Sequence, residues 1–463
     1  MTELPRGWAT AMLGELAETS LGKMLDAKQQ TGEHPTPYLR NVNVRWGAFD
    51  LGDIAMMDIE PHQLDRVLAL PGDVIACEGG EPGRCAVWRG EPIALQKALH
   101  RIRPAVGVSA DYLAFALAER SSTRQLDRLF TGTTIKHLPQ EKLRVVPVAV
   151  APTAEQERVV AAIEEAFSKL DAGEAGLRTV RQLLKRMRDA ILAAAVTGRL
   201  VAQDPTDTPA AKLLADLGIE PLEQDDQPDV PDGWAWARIG DLAQVVSGNT
   251  PKGLAEALVD AGDIPFIKVG DLSTDGNIVD SSRTWISHED ARRLSVHLRP
   301  AGTILFPKRG GAIATNRKRI LGRDAGFDLN TMGLVPVNDF GGWLWLFVNQ
   351  FDLRTISDGS NVPQLNHSDV APLPIAVPPM EEQARIVTEV ERQMSFIDAC
   401  ERAVDAGLER SAALRRSVLK AAFEGRLVPQ DPTDEPASVL LERIRAERAA
   451  APKTKSRRAK AKS

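Results

Sequence analysis

The sequence predicts a duplicated α/β chain: two globular units with strand-like patterning, each followed by one long helix. Three observations carry this. Motifs recur at one fixed spacing: Gly132, Glu155 and Gly198 reappear as Gly359, Glu382 and Gly425, each 227 positions on, with no insertion or deletion between them. Apolar residues between Pro152 and Thr197 keep a seven-residue repeat, the mark of a helix lying along a partner helix. The stretches before each helix hold short apolar runs preceded by Pro/Gly turns, which is strand punctuation.

Residues 1–150 form the first unit. It opens Leu4-Pro5-Arg6-Gly7-Trp8, and the second, residues 231–378, opens alike with Pro231-Asp232-Gly233-Trp234. Val74-Ile75-Ala76 and Ile304-Leu305-Phe306 are matching strands, as are Tyr38-Leu39-Arg40 and Phe266-Ile267-Lys268. Between these anchors the units disagree in sequence and length, so one scaffold carries two different surfaces.

The first long helix is expected over 151–198. Its seam places Ile163, Leu170, Leu177, Leu184 and Ile191 at one position and Ala166, Gly173, Val180, Met187 and Ala194 at the other. Thr153 and Gln156 have the spacing of a capping box. About 45 residues at a 1.5 Å rise give a rod of roughly 65 Å. Its copy, over 379–425, is patchier, with Gln393, Gly407 and Ser411 on the seam and Met380 where the cap belongs. Residues 199–230 read as a Pro/Asp-rich linker with a short helix at Ala210–Leu217. In the C-terminal segment, 426–463, six lysines and arginines from Lys453 to Lys462 read as a solvated tail or a non-specific phosphate contact.

Composition excludes several classes. Hydrophobic residues make 43% and charged residues 26%, the balance of an ordinary globular protein. No apolar run is long enough to span a bilayer and the N-terminus lacks the regions of a signal peptide; with three cysteines that form no disulfide framework or zinc spacing, a reducing cytoplasm is expected. A net charge of −6 argues against general DNA coating but leaves room for local basic patches. There is no Walker loop, no Gly-rich dinucleotide turn and no Asn/Asp-Pro-Pro-aromatic motif; seven scattered histidines make no metal cluster. No catalytic, metal or cofactor residues are therefore assigned.

Two variable units on one scaffold, separated by long helices with matching exits, resemble the specificity subunit of a Type I restriction-modification system. The most specific carriers are the loop Gly132-Thr133-Thr134-Ile135-Lys136-His137-Leu138-Pro139, the helix start Pro379-x-x-Glu382-Gln383-x-Arg385-Ile386-Val387, and the two Gly-Arg-Leu-Val-x-Gln-Asp-Pro-Thr-Asp exits. The resemblance covers essentially the whole chain. It implies that each globular unit is a target recognition domain reading one half of a split double-stranded DNA site. It further implies that the helices pack antiparallel as a spacer, that two methyltransferase subunits dock on the repeated regions, and that restriction and motor subunits join them. Adenine methylation, with S-adenosylmethionine and ATP held by the partners, is likewise implied.

Sequence should be read where the units differ. In the first unit the candidate contacts are Arg40, Asn41, Asn43, Arg45, Arg84 and Lys97, with Trp46 either contact or core; arginine suits guanine and asparagine suits adenine in the major groove. In the second they are Lys308, Arg309, Asn316, Arg317, Lys318 and Arg319, a cationic cluster around glycines, together with Lys268 and Asn330. The repeated turns add Thr133, Thr134, Lys136, Ser360 and Asn361, as phosphate contacts or simple turns. For partner docking the repeated surface is Glu155, Gln156, Arg158, Arg199 and Leu200 with Glu382, Gln383, Arg385, Arg426 and Leu427. Helix capping alone does not explain why the exits match in 11 of 14 positions from Thr197 and Glu424 onward. A scaffold spacing two protein-binding domains without touching DNA, or a module of another DNA-modifying assembly, stays open.

Overall fold

The computed structural model describes residues 4–25, 32–223, 227–359 and 362–450; the basic tail expected from Lys453 lies outside them. The chain divides into two compact units, residues 1–178 with 404–463, and residues 179–403. The division runs through both long helices, Thr153–Val196 and Met380–Phe423, so the segment after the second helix belongs to the first unit. Among the described residues no helix is long and apolar enough to cross a membrane.

The same sheet plan is drawn twice. In the first unit Ala9–Met12 pairs antiparallel with Pro147–Val150, Leu99–Pro104 lies between Ala17–Leu21 and Val74–Cys77, and Pro35–Leu39 runs parallel to Ile93–Leu95. In the second, Ala235–Arg238 pairs with Pro374–Val377, Thr331–Pro336 lies between Ala243–Ser247 and Ile304–Pro307, and Ile264–Ile267 runs parallel to Ala325–Phe327. The apolar runs sit inside: Val74 to Cys77 and Ile304 to Pro307 are all buried.

One hydrophobic core in the first unit joins sheet, long helices and C-terminal helix. Trp8, Leu13, Ile102, Tyr112 and Leu117 pack with Ile163 from the first long helix, Phe423 from the second, and Leu440, Leu441 and Ile444 from the helix Ala437–Ala450. Tyr112 and Phe423 pack in a tilted arrangement with ring centroids 5.1 Å apart. Fully burying each such side chain contributes roughly 1.5–3 kcal/mol. The globular part is thereby fixed to the helix ends.

The helices run antiparallel within each unit. Arg415 reaches Asp171 and Glu174 in the first, and Arg188 reaches Asp398 and Glu401 in the second. One seam position follows expectation: Ile163, Leu184, Ile191, Val390, Ile397 and Val404 are buried. The other does not. Val180 and Met187 are 42% exposed, and the helix places Phe167, Glu174, Arg188 and Ala195 inward instead, four residues after the first position rather than three. Two of these are charged and bind the opposite helix, so a search for apolar residues settles on the wrong neighbour.

The capping box also resolves differently. The helix begins at Thr153 itself, whose hydroxyl donates to the Gly107 carbonyl. Gln156 turns back to donate to the Ala151 carbonyl and accepts from the Ser109 amide, and Gln383 repeats the first bond to Pro378.

Candidate nucleic-acid interface

In the first unit the strands ending at Leu21, Leu39, Cys77 and Leu95 deliver their following loops to one edge. Backbone bonds tie these loops together: Lys23 N donates to Leu95 O (2.7 Å), Lys97 N to Lys23 O (2.8 Å), Gln96 N to Leu39 O (3.0 Å), Glu78 N to Ala98 O (2.8 Å) and Leu138 N to Glu78 O (2.7 Å). Gly22 permits the crossing, since a Cβ there would stand 2.1 Å from the Leu95 oxygen; Gly248 meets the Phe327 oxygen at the same 2.1 Å. Neither glycine nor Lys23 is singled out by the sequence pattern, because the close approach involves chain distant in sequence.

Several predicted residues meet here. Arg40 pairs with Asp53 (2.7 Å) and Asn41 donates to the Gly79 carbonyl (2.8 Å). Arg84 binds Glu81 (2.8 Å) and the Asn41 carbonyl (3.0 Å). Trp46 is exposed and donates to the other Glu81 oxygen at 2.8 Å, so it is surface rather than core. Arg45 is exposed beside Asp50. Lys97 is exposed and lines a cleft with Lys23, His62 and Arg66. Thr133, Thr134 and Lys136 stand exposed on a turn closed by paired backbone bonds between Thr131 and His137 (2.8 and 2.9 Å), where Gly132 takes a left-handed φ of +87°. Asn43 must be removed from the set: it is buried, accepts from the Arg40 amide and donates to the carbonyls of Asp50 and Asp53, with nothing left for a base.

The second unit builds the same edge. Lys308 N donates to Asn330 O (2.7 Å) and Leu365 N to Lys308 O (2.9 Å), which places Lys308 where the first unit has Glu78 and Arg309 where it has Gly79. Lys308 also donates to the Ser247 hydroxyl (3.1 Å), itself 3.0 Å from the His367 ring, a local cluster formed by residues 120 positions apart. Gly310 N binds Pro363 O (2.8 Å), holding the basic loop against the repeated turn. Lys268 and Arg309 are exposed; Arg317 donates to Ser273, Arg319 to Thr274 O (2.7 Å), and Asn330 approaches Asp328 (3.4 Å). Ser360 and Asn361 lie outside the described residues.

Lys318 is a second correction. It is only 3% exposed and donates to Phe351 O (2.7 Å) and to Asn316 Oδ1 (2.9 Å), while the same Asn316 oxygen accepts from Leu353 N (2.9 Å). Burial pushes its ammonium down to about 8. A lysine enclosed this way braces the loop and cannot reach a phosphate.

The residues assigned to docking turn inward. Trp8 donates to Glu155 and Trp234 to Glu382, both at 3.0 Å. Arg158 pairs with Asp434 (2.6 Å) and Arg385 with Asp207 (3.2 Å). Ala437 N binds Gly7 O and Ala210 N binds Gly233 O, both at 2.8 Å. Gly425 and Gly198 adopt φ of +65° and +66°, where a Cβ would fall 2.2 Å from Pro5 and 2.3 Å from Pro231. Each exit therefore latches onto the unit that carries the other copy's helix start, and this intrachain latch accounts for the repetition. Glu155, Gln156, Glu382 and Gln383 are at most 3% exposed, and burial pushes the Glu155 carboxyl up. Leu427 packs against the core, whereas Arg199 and Arg426 stay exposed and Leu200 borders an open cleft with Thr388 and Glu389.

Among the described residues no group of three or more His, Cys, Asp or Glu side chains is placed to hold a metal. The arrangement offers hydrogen-bonding and cationic side chains on rigid loops, which suits recognition of an anionic polymer.

No family model matches the chain. It is similar over 99% of both sequences to the Type I restriction enzyme EcoDI specificity subunit of Escherichia coli and the StySPI specificity subunit of Salmonella potsdam, each 24% identical. The EcoBI specificity subunit of Escherichia coli is 27% identical over 84% of this chain and 82% of its own. Among solved structures, a chain described under the assembly and conformational transition of the type I R-M system aligns with a TM-score of 0.68 at 18% identity, covering 92% of this chain and 99% of that one. An HsdS subunit from Thermoanaerobacter tengcongensis aligns at 0.54 and 17%, covering 92% and 98%.

Proposed function

Because the chain belongs to the specificity subunits of Type I restriction-modification systems, we propose that it is the non-catalytic DNA-reading subunit of such a complex. Each unit reads one half of a bipartite, asymmetric site through its loop edge, and the antiparallel helices fix the gap. Two methyltransferase subunits dock on the solvent-facing parts of the repeated regions, with Arg199, Leu200 and Arg426 as contacts. These partners supply S-adenosylmethionine chemistry on adenine and recruit the ATP-dependent restriction subunits.

One observation carries the reading. Two edges with the same backbone bonding present different side chains at equivalent places: Glu78 and Gly79 in one, Lys308 and Arg309 in the other. A shared frame with unlike faces is what reading two unrelated sequences requires, since carboxylates accept from cytosine amino groups and arginines donate to guanine. A protein-spacing scaffold gives no reason for each unit to gather its own loops on an edge of this kind.

The test is to co-express the chain with its adjacent methyltransferase subunit and map methylated adenines across a genome. One split motif with a constant gap is expected, and exchanging residues 1–150 for those of a relative changes one half only. A stable complex that methylates nothing would return the reading to the scaffold.

A further inference from the structure

Beside the short helical turn Leu126–Leu129 the first unit has an open cleft of about 450 Å³ lined by Arg120, Arg124 and Arg128 together with Thr123, Gln125 and Val145. No carboxylate lines it. Arg120 sits at the end of the helix Ala110–Ser122, Arg124 follows in a left-handed conformation (φ +57°), and Arg128 lies on the short helical turn Leu126–Leu129. The chain reversal at Arg124 folds the helix end and the turn together, so that all three line the same cleft. Arg120 is engaged by Glu119 (3.6 Å) and Gln125, whereas Arg124 and Arg128 are exposed.

The cleft adjoins the reading edge. Leu126 packs under the Arg84 loop, where a Cβ on Gly83 would stand 2.7 Å from it, and Lys136 lies 5.9 Å over the ring of Phe130. The second unit lacks the feature. The 227-position spacing carries buried Leu126 to buried Leu353, and with it Arg120, Arg124 and Arg128 to Phe347, Phe351 and Thr355. There Phe347 and Phe351 pack edge to face at 5.2 Å.

We propose that Arg120, Arg124 and Arg128 form an anion subsite that grips the DNA backbone beside the half-site read by the first unit, with no counterpart in the second. Resting on the DNA-reading function above, it assigns the two units unequal shares of the electrostatic affinity. The three edge arginines Arg40, Arg45 and Arg84 are each held by a carboxylate of the same unit. Arg124 and Arg128, whose guanidinium forks are exposed without such a carboxylate, are suited to phosphate oxygens, with Arg120 held beside them by Glu119.

The experiment measures binding of the full-length chain to a fluorescein-labelled 40-base-pair duplex of mixed sequence between roughly 50 and 200 mM salt, because backbone contacts are sequence-independent. R124Q/R128Q is expected to bind about tenfold more weakly at the lowest salt. The log–log salt slope should flatten by about 0.9 for each phosphate released. R124K/R128K should keep the slope. An unchanged slope in R124Q/R128Q with an unchanged melting temperature overturns the subsite while leaving the DNA reading intact. So does loss of methyltransferase co-purification with the slope preserved, which assigns the cleft to an acidic protein surface. A wild-type chain that binds no duplex overturns both. If the double variant does not fold, the exposed single change R128Q gives the same readout at half the size.

Discussion

The two reading edges share a skeleton and differ in how their charges are held. In the first unit three arginines of the edge are balanced: Arg40 by Asp53, Arg45 by Asp50, Arg84 by Glu81. In the second, Arg309 and Lys268 face outward while half-buried Lys308 donates to Ser247, over a loop braced from within by buried Lys318. The contrast separates two ways of presenting a donor. One fixes the direction of a guanidinium with a local carboxylate and lowers net charge; the other holds its cations on neutral oxygens, leaving their charge unneutralised, as Lys308 on Ser247 and Arg319 on Thr274. Fixed direction favours base discrimination and free charge favours phosphate affinity, so each unit balances specificity and grip differently.

The largest effect tests whether the frames are truly equivalent. Ala at Gly425 or Gly198 puts a Cβ into a proline ring at a left-handed φ, and each change is expected to cost about 2–4 kcal/mol. Urea unfolding of G425A and G198A should give similar losses, the first in the unit that holds Pro5 and the second in that holding Pro231. A large loss in one and none in the other breaks the equivalence of the latches.

The next distinguishes the braces. Lys318 has its folded pKa depressed to about 8, below an unfolded value of 10.5. Between these values the unfolded chain binds more protons, so stability rises with pH across that window, by up to about 1.4 kcal/mol per unit. Thermal unfolding followed from pH 8 to 10 should show this rise in the wild type and lose it in K318M. The first unit's Asn43, uncharged and buried, contributes no such rise, and N43A should instead cost about 1–3 kcal/mol at every pH through the three bonds it leaves unmade.

Smaller still are the latch ion pairs. R158Q and R385Q should each cost about 0.5–1.5 kcal/mol in denaturant titrations, because both arginines are more than a third exposed and solvent screens them. Arg45 and Asp50 are over half exposed, and R45A should leave stability within about 0.5 kcal/mol while altering methylation of the first half-site.

Much of the architecture is legible in the sequence because it is local or repeated. The 227-position spacing, the helix limits near Thr153 and Val196, and the buried strands at Val74 and Ile304 follow from periodicity and turn residues. What escapes is decided by partners far along the chain. The seam register fails because Glu174 and Arg188 face the opposite helix through charge rather than apolar surface. Glu155 and Gln156 look like exposed polar repeats until Trp8 and Ser109 arrive to satisfy them. Asn43 and Lys318 carry residue types proper to DNA contact, and burial alone tells them from Asn41 and Lys308. The arginine cleft escapes notice because its residues belong to a helix end and a turn that fold onto one side.

The most direct measurement is genome-wide adenine methylation by the chain with its methyltransferase subunit, comparing wild type with K308Q/R309Q. The account predicts one bipartite motif in the wild type and, in the variant, relaxed sequence in one half with the other half and the gap unchanged. Loss of sequence preference in both halves, or in neither, would contradict the assignment of one reader to each unit.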